Sequence, residues 1–245
     1  MTNALREFMA RHERVALMFS AGKDSAACLK LLRPYIARVT VIWCNPGRPY
    51  PEVVEYMAKV KASVPRFVEA RGAQPEYIRQ HGYPADMVPW EATPTGRQCV
   101  HRNTATFRLV FPYECRWANM WQPALRALDA SGCTGVVRGE KLVDRPLALP
   151  LEQYFAAREY FRPLLELSDA EVIDFLGEDL PPGYAEGLTG SLDCMNCTAF
   201  LARNPTRLQY LRRHHPEVYR EVGPVLLYML GATSDHHQRL KDTMQ

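Results

Sequence analysis

Residues 15–19, Val-Ala-Leu-Met-Phe, form a short unbroken apolar run, which fits a strand buried on both faces. A Gly-containing turn follows, and the apolar positions of residues 24–32 fit a helix. Residues 39–43 repeat the strand signal, Asn45-Pro46-Gly47 supplies a turn, and residues 51–61 fit a second helix. The pattern predicts further short strands at 66–68 and 135–137, the latter after a helix-compatible stretch at 121–130. Strands alternating with helices imply right-handed crossovers and a parallel sheet covered on both faces. From Pro205 onward the chain reads as helical, and Gly223-Pro224 is expected to break that region in two. The expected fold is therefore α/β, with a mostly parallel sheet over residues 1–204 and a C-terminal helical appendage over 205–245. The chain has no internal repeat and no low-complexity tract.

Composition narrows the class. At 245 residues, 47% hydrophobic and 23% charged, the chain can bury one sizeable core, which excludes a disordered, collagen-like or miniature disulfide protein. The longest apolar run near either end, residues 225–230, is far below the roughly 20 residues needed to cross a bilayer. The first 14 residues mix both charge signs and read as an amphipathic helix rather than a signal peptide, so a cytoplasmic protein without membrane contact is expected. Seven cysteines, an odd number, then read as free thiols or metal ligands rather than a disulfide framework. The net charge is only +3, but 24 of the 30 basic residues are Arg. Arg grips phosphate, sulfate and carboxylate in two-point fashion, although a compositional bias explains the excess equally well. No nucleic-acid motif is present, and this charge does not argue for a polyanionic partner. The oligomeric state is not legible.

The sharpest motif is Ser20-Ala21-Gly22-Lys23-Asp24-Ser25, placed directly after the first strand and before the first helix. Successive backbone amides, the positive helix end, the Ser20 and Ser25 hydroxyls and the Lys23 ammonium can all address one anion there, while Gly22 allows close approach. Asp24 can alternatively cap free amides. A Walker loop is excluded, because only one Gly is present and no Gly-Lys-Ser/Thr closes the turn. The segment instead resembles the PP-loop of the adenine nucleotide alpha-hydrolase superfamily, which binds the pyrophosphate of ATP or a related nucleotide.

Further segments keep the order of one branch of that superfamily. Residues 41–47 followed by Tyr50-Pro51-Glu52 resemble the second strand and loop of phosphoadenosine phosphosulfate (PAPS) reductases, where Asp-Thr-Gly commonly stands at Asn45-Pro46-Gly47. Arg138-Gly139-Glu140 with Arg145 downstream resembles that family's Gly-x-Arg segment. Arg162-Pro163-Leu164, Ser168-Asp169, Leu180-Pro181 with Tyr184 and Gly187, and Cys194-Met195-Asn196-Cys197-Thr198 resemble its remaining elements. The resemblance covers roughly residues 15–200 and implies a three-layer α/β/α sandwich. It implies a nucleotide site at Ser20, Gly22, Lys23, Asp24, Ser25, Asn45, Gly47, Arg138 and Arg145. Lys23, Asp24 and Arg138 are the expected catalytic groups. Asn45 and Gly47 would line the base or ribose, and Arg138 and Arg145 would clamp a phosphate or sulfonyl group.

Cluster-bearing members of the family pair a Cys-Cys with a downstream CxxC. Here Cys115 stands 79 positions before Cys194, but its neighbours are Glu114 and Arg116. Cys115, Cys194 and Cys197 are therefore the candidate metal ligands, with Cys99 as a further candidate. A [4Fe-4S] cluster with an open corner, a zinc ion and plain reduced thiols all remain open. Cys28, Cys44 and Cys133 read as small buried hydrophobes.

Family reductases carry a catalytic Cys in a C-terminal Glu-Cys-Gly-Leu-His segment, whereas residues 198–245 contain no Cys. The leading expectation is an enzyme that binds ATP with Mg²⁺, cleaves between the α- and β-phosphates, adenylates an acceptor and passes sulfur to it. The sulfur donor and acceptor are unidentified. A sulfonucleotide reductase drawing its thiol from elsewhere, and a nucleotide-binding module without turnover, are the alternatives.

Overall fold

The computed structural model describes residues 2–99, 105–144 and 158–244. Its main sheet has five strands in the order β3-β2-β1-β6-β7. These are β1 (Val15–Phe19), β2 (Val39–Asn45), β3 (Phe67–Arg71), β6 (Gly135–Val137) and β7 (Glu159–Phe161). Every pairing in it is parallel, with Val15 opposite both Val39 and Gly135. A second, two-stranded parallel sheet joins β4 (Tyr83–Pro84) to β5 (Leu109–Val110). The helices are α1 (Thr2–Arg11), α2 (Lys23–Leu32), α3 (Pro51–Ser63), α4 (Gln74–His81), α5 (Pro94–Cys99), α6 (Pro112–Arg116), α7 (Gln122–Ser131), α8 (Asp169–Leu176), α9 (Arg207–His214) and α10 (Pro216–Thr243).

The apolar run of β1 is buried at all five positions, as a central strand with two covered faces requires. Alternation then sends Val15, Leu17 and Phe19 to one face, with Phe8 of α1, Leu29 of α2, Met57 of α3 and Val172 of α8. Ala16 and Met18 face the other way, against Ala124 and Leu128 of α7. This is the expected α/β/α sandwich with a mostly parallel sheet.

Three differences from the sequence reading have physical causes. The edge strand β7 is short and only partly buried, so it lacks a continuous apolar signal. The small sheet uses two residues per strand, too few to show a period. Finally, α10 runs unbroken through Gly223-Pro224, contrary to the expected break. Pro224 removes one backbone donor, but Val218, Val222, Val225 and Met229 remain on one buried face and hold the helix across it. Val218 and Val222 join the same core cluster as β1, and Tyr210 and His215 both bond the Glu52 carboxylate of α3. Among the described residues no helix is long and apolar enough to cross a membrane.

Candidate functional site

The carboxyl ends of β1, β2 and β6 open onto a cleft of about 430 Å³. Ser20, Asp24, Ser25, Arg138, Cys115, Cys194 and Cys197 all line it. Ligands of open α/β sheets bind at this edge, where helix N-termini converge.

The 20–25 turn is organised by its own hydroxyls. Ser25 Oγ donates to the Gly22 carbonyl at 2.9 Å, and the Gly22 amide donates to Ser20 Oγ at 3.3 Å. Gly22 caps α2 without any side-chain cap, so Asp24 does not take the capping role, and the first helical amide, that of Lys23, bonds the Tyr184 hydroxyl. The residue in the left-handed region is Ala21, at φ 63°, while Gly22 has an ordinary φ of −81°. Gly22 still sits close to its neighbours, since a Cβ there would meet Ser191 Cβ and Ser20 Oγ at 3.3 Å.

Lys23 is placed differently from the sequence expectation. Its ammonium bonds Asp24 at 3.0 Å and Asp169 of α8 at 2.9 Å, and it is not among the cleft-lining residues. Lys141 lines the cleft instead, its side chain 1% exposed, and it reaches the same two carboxylates at 2.7 and 2.6 Å. Two ammoniums shared between two carboxylates lock the start of α2, the turn after β6 and the start of α8 together. Burial raises the Asp169 carboxyl, but the bonds from Lys141 and Lys23 outweigh it and hold its pKa below the usual value. Gly139 completes the lock, because a Cβ on it would lie 2.6 Å from the Asp24 carbonyl carbon.

Arg138 lies over Trp121 at 4.7 Å and Tyr160 at 5.8 Å and pairs with Glu140 at 2.5 Å. Tyr160 donates to the same carboxylate at 3.0 Å, and Arg162 approaches it at 3.4 Å. Among the described residues six cationic side chains line the cleft, Arg116, Arg138, Lys141, Arg162, Arg203 and Arg207, against three carboxylates, Asp24, Glu140 and Asp193. The field therefore favours an anionic ligand.

The thiol wall is built from two distant segments. Cys115 is on α6, and Asn119 in the π-helical turn Trp117–Trp121 donates to its carbonyl at 2.9 Å. Cys194 and Cys197 sit on a loop that Arg207 of α9 fixes by donating to the Cys197 and Ala199 carbonyls at 2.8 and 3.0 Å. Arg116 and Arg203 both lie over the Phe200 ring, at 5.2 and 5.9 Å. Burial, with nearby Cys197 adding, pushes the Cys115 thiol up to about 12. Burial raises Cys194 as well, with Cys197 adding to it. Cys44 at the end of β2 is a fourth thiol in the cleft, pushed up to about 12 by burial.

Other expected residues fall elsewhere. Asn45 and Gly47 are outside the cleft lining: the Asn45 side chain accepts from the Gly47 amide at 2.9 Å and donates to Glu69 at 2.5 Å. The turn is pinned to the β3–α4 connection by Gly72 and Gln74 amides donating to the Asn45 and Pro46 carbonyls. Cys99 is exposed at the end of α5 and does not line the cleft. Arg145 lies outside the described residues. Among the described residues no group of three or more His, Cys, Asp or Glu is gathered closely enough to hold a metal ion. Arg116 rather than a second Cys follows Cys115, and Cys99 stands apart from Cys115, Cys194 and Cys197.

Lys141, Arg207 and Trp121 also line the cleft, beyond the residues to which the sequence motifs point. Arg162, which also lines the cleft, carries a signal in its Arg-Pro-Leu element. Lys141 had a weaker one, following Arg138-Gly139-Glu140 directly. Nothing local marks Arg207 or Trp121.

A parallel sheet with an uncapped helix start and an arginine-rich cleft at its carboxyl edge defines a nucleotide-binding α/β protein. The phosphoadenosine phosphosulfate reductase domain model matches residues 14–199, and the chain belongs to that family, a branch of the PP-loop superfamily. A crystal structure of phosphoadenylyl-sulfate (PAPS) reductase from Candida auris, in complex with phosphate, is similar at 18% identity and TM-score 0.47, over 75% of this chain and 83% of that chain. No curated protein matches the chain.

Proposed function

We propose that the chain binds ATP with its phosphates on the 20–25 turn and cleaves between the α- and β-phosphates. An acceptor oxygen would attack the α-phosphorus and pyrophosphate would leave. Hydrosulfide sulfur brought to the thiol wall would then displace AMP from the adenylated acceptor, leaving the acceptor thiolated. The observation that carries this reading is that Ser20, Asp24 and Ser25 share one cleft with Cys115, Cys194 and Cys197. The positive N-terminal end of α2 and the charge of Arg138 and Lys141 would stabilise the developing phosphate charge. Lys23 would act on Asp24 and Asp169 rather than on the nucleotide. Mg²⁺ would accompany the nucleotide, needing only one or two carboxylates besides phosphate oxygens, and Asp24 and Asp193 line the cleft.

Family membership supports a second reading, reduction of a sulfonucleotide, in which a thiolate attacks the sulfur and the nucleotide leaves. Four thiols line the cleft as candidate nucleophiles, and one of them would have to lose its proton against the burial that raises Cys44, Cys115 and Cys194. One experiment separates the two. The protein is incubated with ATP plus sulfide and candidate acceptors, and separately with PAPS plus a dithiol reductant. Pyrophosphate release without sulfite supports adenylation. Sulfite that disappears with one of Cys44→Ser, Cys115→Ser, Cys194→Ser or Cys197→Ser supports reduction. Tight nucleotide binding with neither product makes the chain a non-catalytic module.

A further inference from the structure

The loop carrying Cys194 and Cys197 has two sides. Its cysteines line the nucleotide cleft, while Asn196 between them lines a separate groove of about 460 Å³. Among the described residues Arg48, Arg79, Arg97 and Arg108 line that groove with one carboxylate, Glu221. Glu221 is taken up by Arg48, in two bonds of 2.6 and 2.8 Å. Arg97 and Arg108 are held differently, by main-chain carbonyls: Arg97 donates to Ala105 at 2.6 Å and Arg108 to Gln80 at 2.7 Å. A carbonyl fixes a guanidinium in place and leaves its charge uncancelled. Arg79 pairs with Glu76 of its own helix, and the Arg79 carbonyl accepts a second bond from Arg108.

Aromatic rings complete the groove. Tyr83 and Phe107 both line it, edge to face with centroids 6.0 Å apart, and Tyr228 of α10 backs Phe107 at 5.6 Å. Asn196 is 3% exposed, and its Oδ1 has no hydrogen-bond partner. That buried acceptor at the groove wall can take a donor from a base or ribose. Fixed guanidiniums neutralise phosphates, and adjacent rings stack unpaired bases. The two together suit a single strand better than a duplex, whose bases are already stacked.

We propose that this groove binds single-stranded nucleic acid, with the phosphodiester backbone on Arg79, Arg97 and Arg108. A bound strand would lie on the outer side of the thiol loop. The inference does not depend on which nucleotide the cleft takes.

The test is fluorescence anisotropy of a labelled mixed-sequence RNA strand, the same strand as DNA, and the matching duplex, titrated with the full chain at several salt concentrations. Arg79→Glu/Arg97→Glu is the variant, both residues being exposed. At least one single strand is expected to bind more tightly than the duplex, and the RNA-to-DNA ratio identifies the source of the backbone. The double reversal is expected to weaken binding at least tenfold. It should also flatten the slope of log affinity against log salt by about 1.4, from about 0.7 per lost phosphate contact. Its melting temperature and ATP affinity should stay at the parent values, which separates failure here from failure of the nucleotide site. Absence of saturable binding, a change below twofold in the variant, or duplex binding as tight as either strand would each overturn the proposal.

Discussion

The two walls of the candidate nucleotide cleft are made in different ways. On the wall proposed to hold phosphate, the hydroxyls and amides of residues 20–25 are tied by mutual bonds that span at most five positions. On the thiol wall, Cys115 stands 79 positions from Cys194, and each side depends on a remote tie, Asn119 for one and Arg207 for the other. A phosphate can be bound by backbone amides, so its site can be written as one short segment. Thiols are side-chain groups and need the rest of the fold to bring them together.

The largest expected effect tests whether the walls act separately. On the adenylation reading, Cys194→Ser should lower sulfur transfer by about 10²-fold or more, as for removal of a nucleophile-holding group, with ATP affinity unchanged. A parallel loss of ATP affinity, measured calorimetrically, would mean the walls are coupled. Next comes Gly139→Ala, whose Cβ has no room against Asp24. Overpacking of about 1–3 kcal/mol predicts nucleotide affinity lowered by roughly 5- to 150-fold, with thiol reactivity towards an alkylating reagent unchanged.

Lys141→Met tests the ionic lock itself. Removing one buried partner strands charge, but Asp169 is 57% exposed and water screens much of it, so a loss of about 1–2 kcal/mol is expected in denaturant melts. The same lock predicts a pH dependence. The folded pKa of Asp169 is depressed, so its contribution is complete above the unfolded carboxylate range and lost as pH falls through the folded value. Asp169→Asn should therefore flatten the acid limb of the stability profile below about pH 4 and leave its neutral part nearly parallel to the parent. The smallest effect belongs to Ala21, held at φ 63°. Ala21→Gly relieves a left-handed strain of about 1–2 kcal/mol but adds unfolded-state entropy, so a gain below about 1 kcal/mol is expected. A fall in melting temperature would contradict that account.

Local order in the sequence was enough to determine the strands β1 and β2, the helix starts at residue 51 and within one residue of 23, and the turn between β1 and α2. Central strands buried on both faces carry unbroken apolar runs, and a phosphate turn carries its small residues and hydroxyls in register with the chain. The family segments were legible for the same reason, being contiguous. Tertiary structure alone decided that Lys141 faces the cleft while Lys23 turns to Asp169, because both ammoniums contend for the same two carboxylates from segments far apart in the chain. It also decided that Asn45 serves its own turn, that α10 continues through Pro224, and that four arginines spread from residue 48 to 108 share one groove. Side-chain direction and long-range charge pairing have no period along a chain, so only packing could settle them.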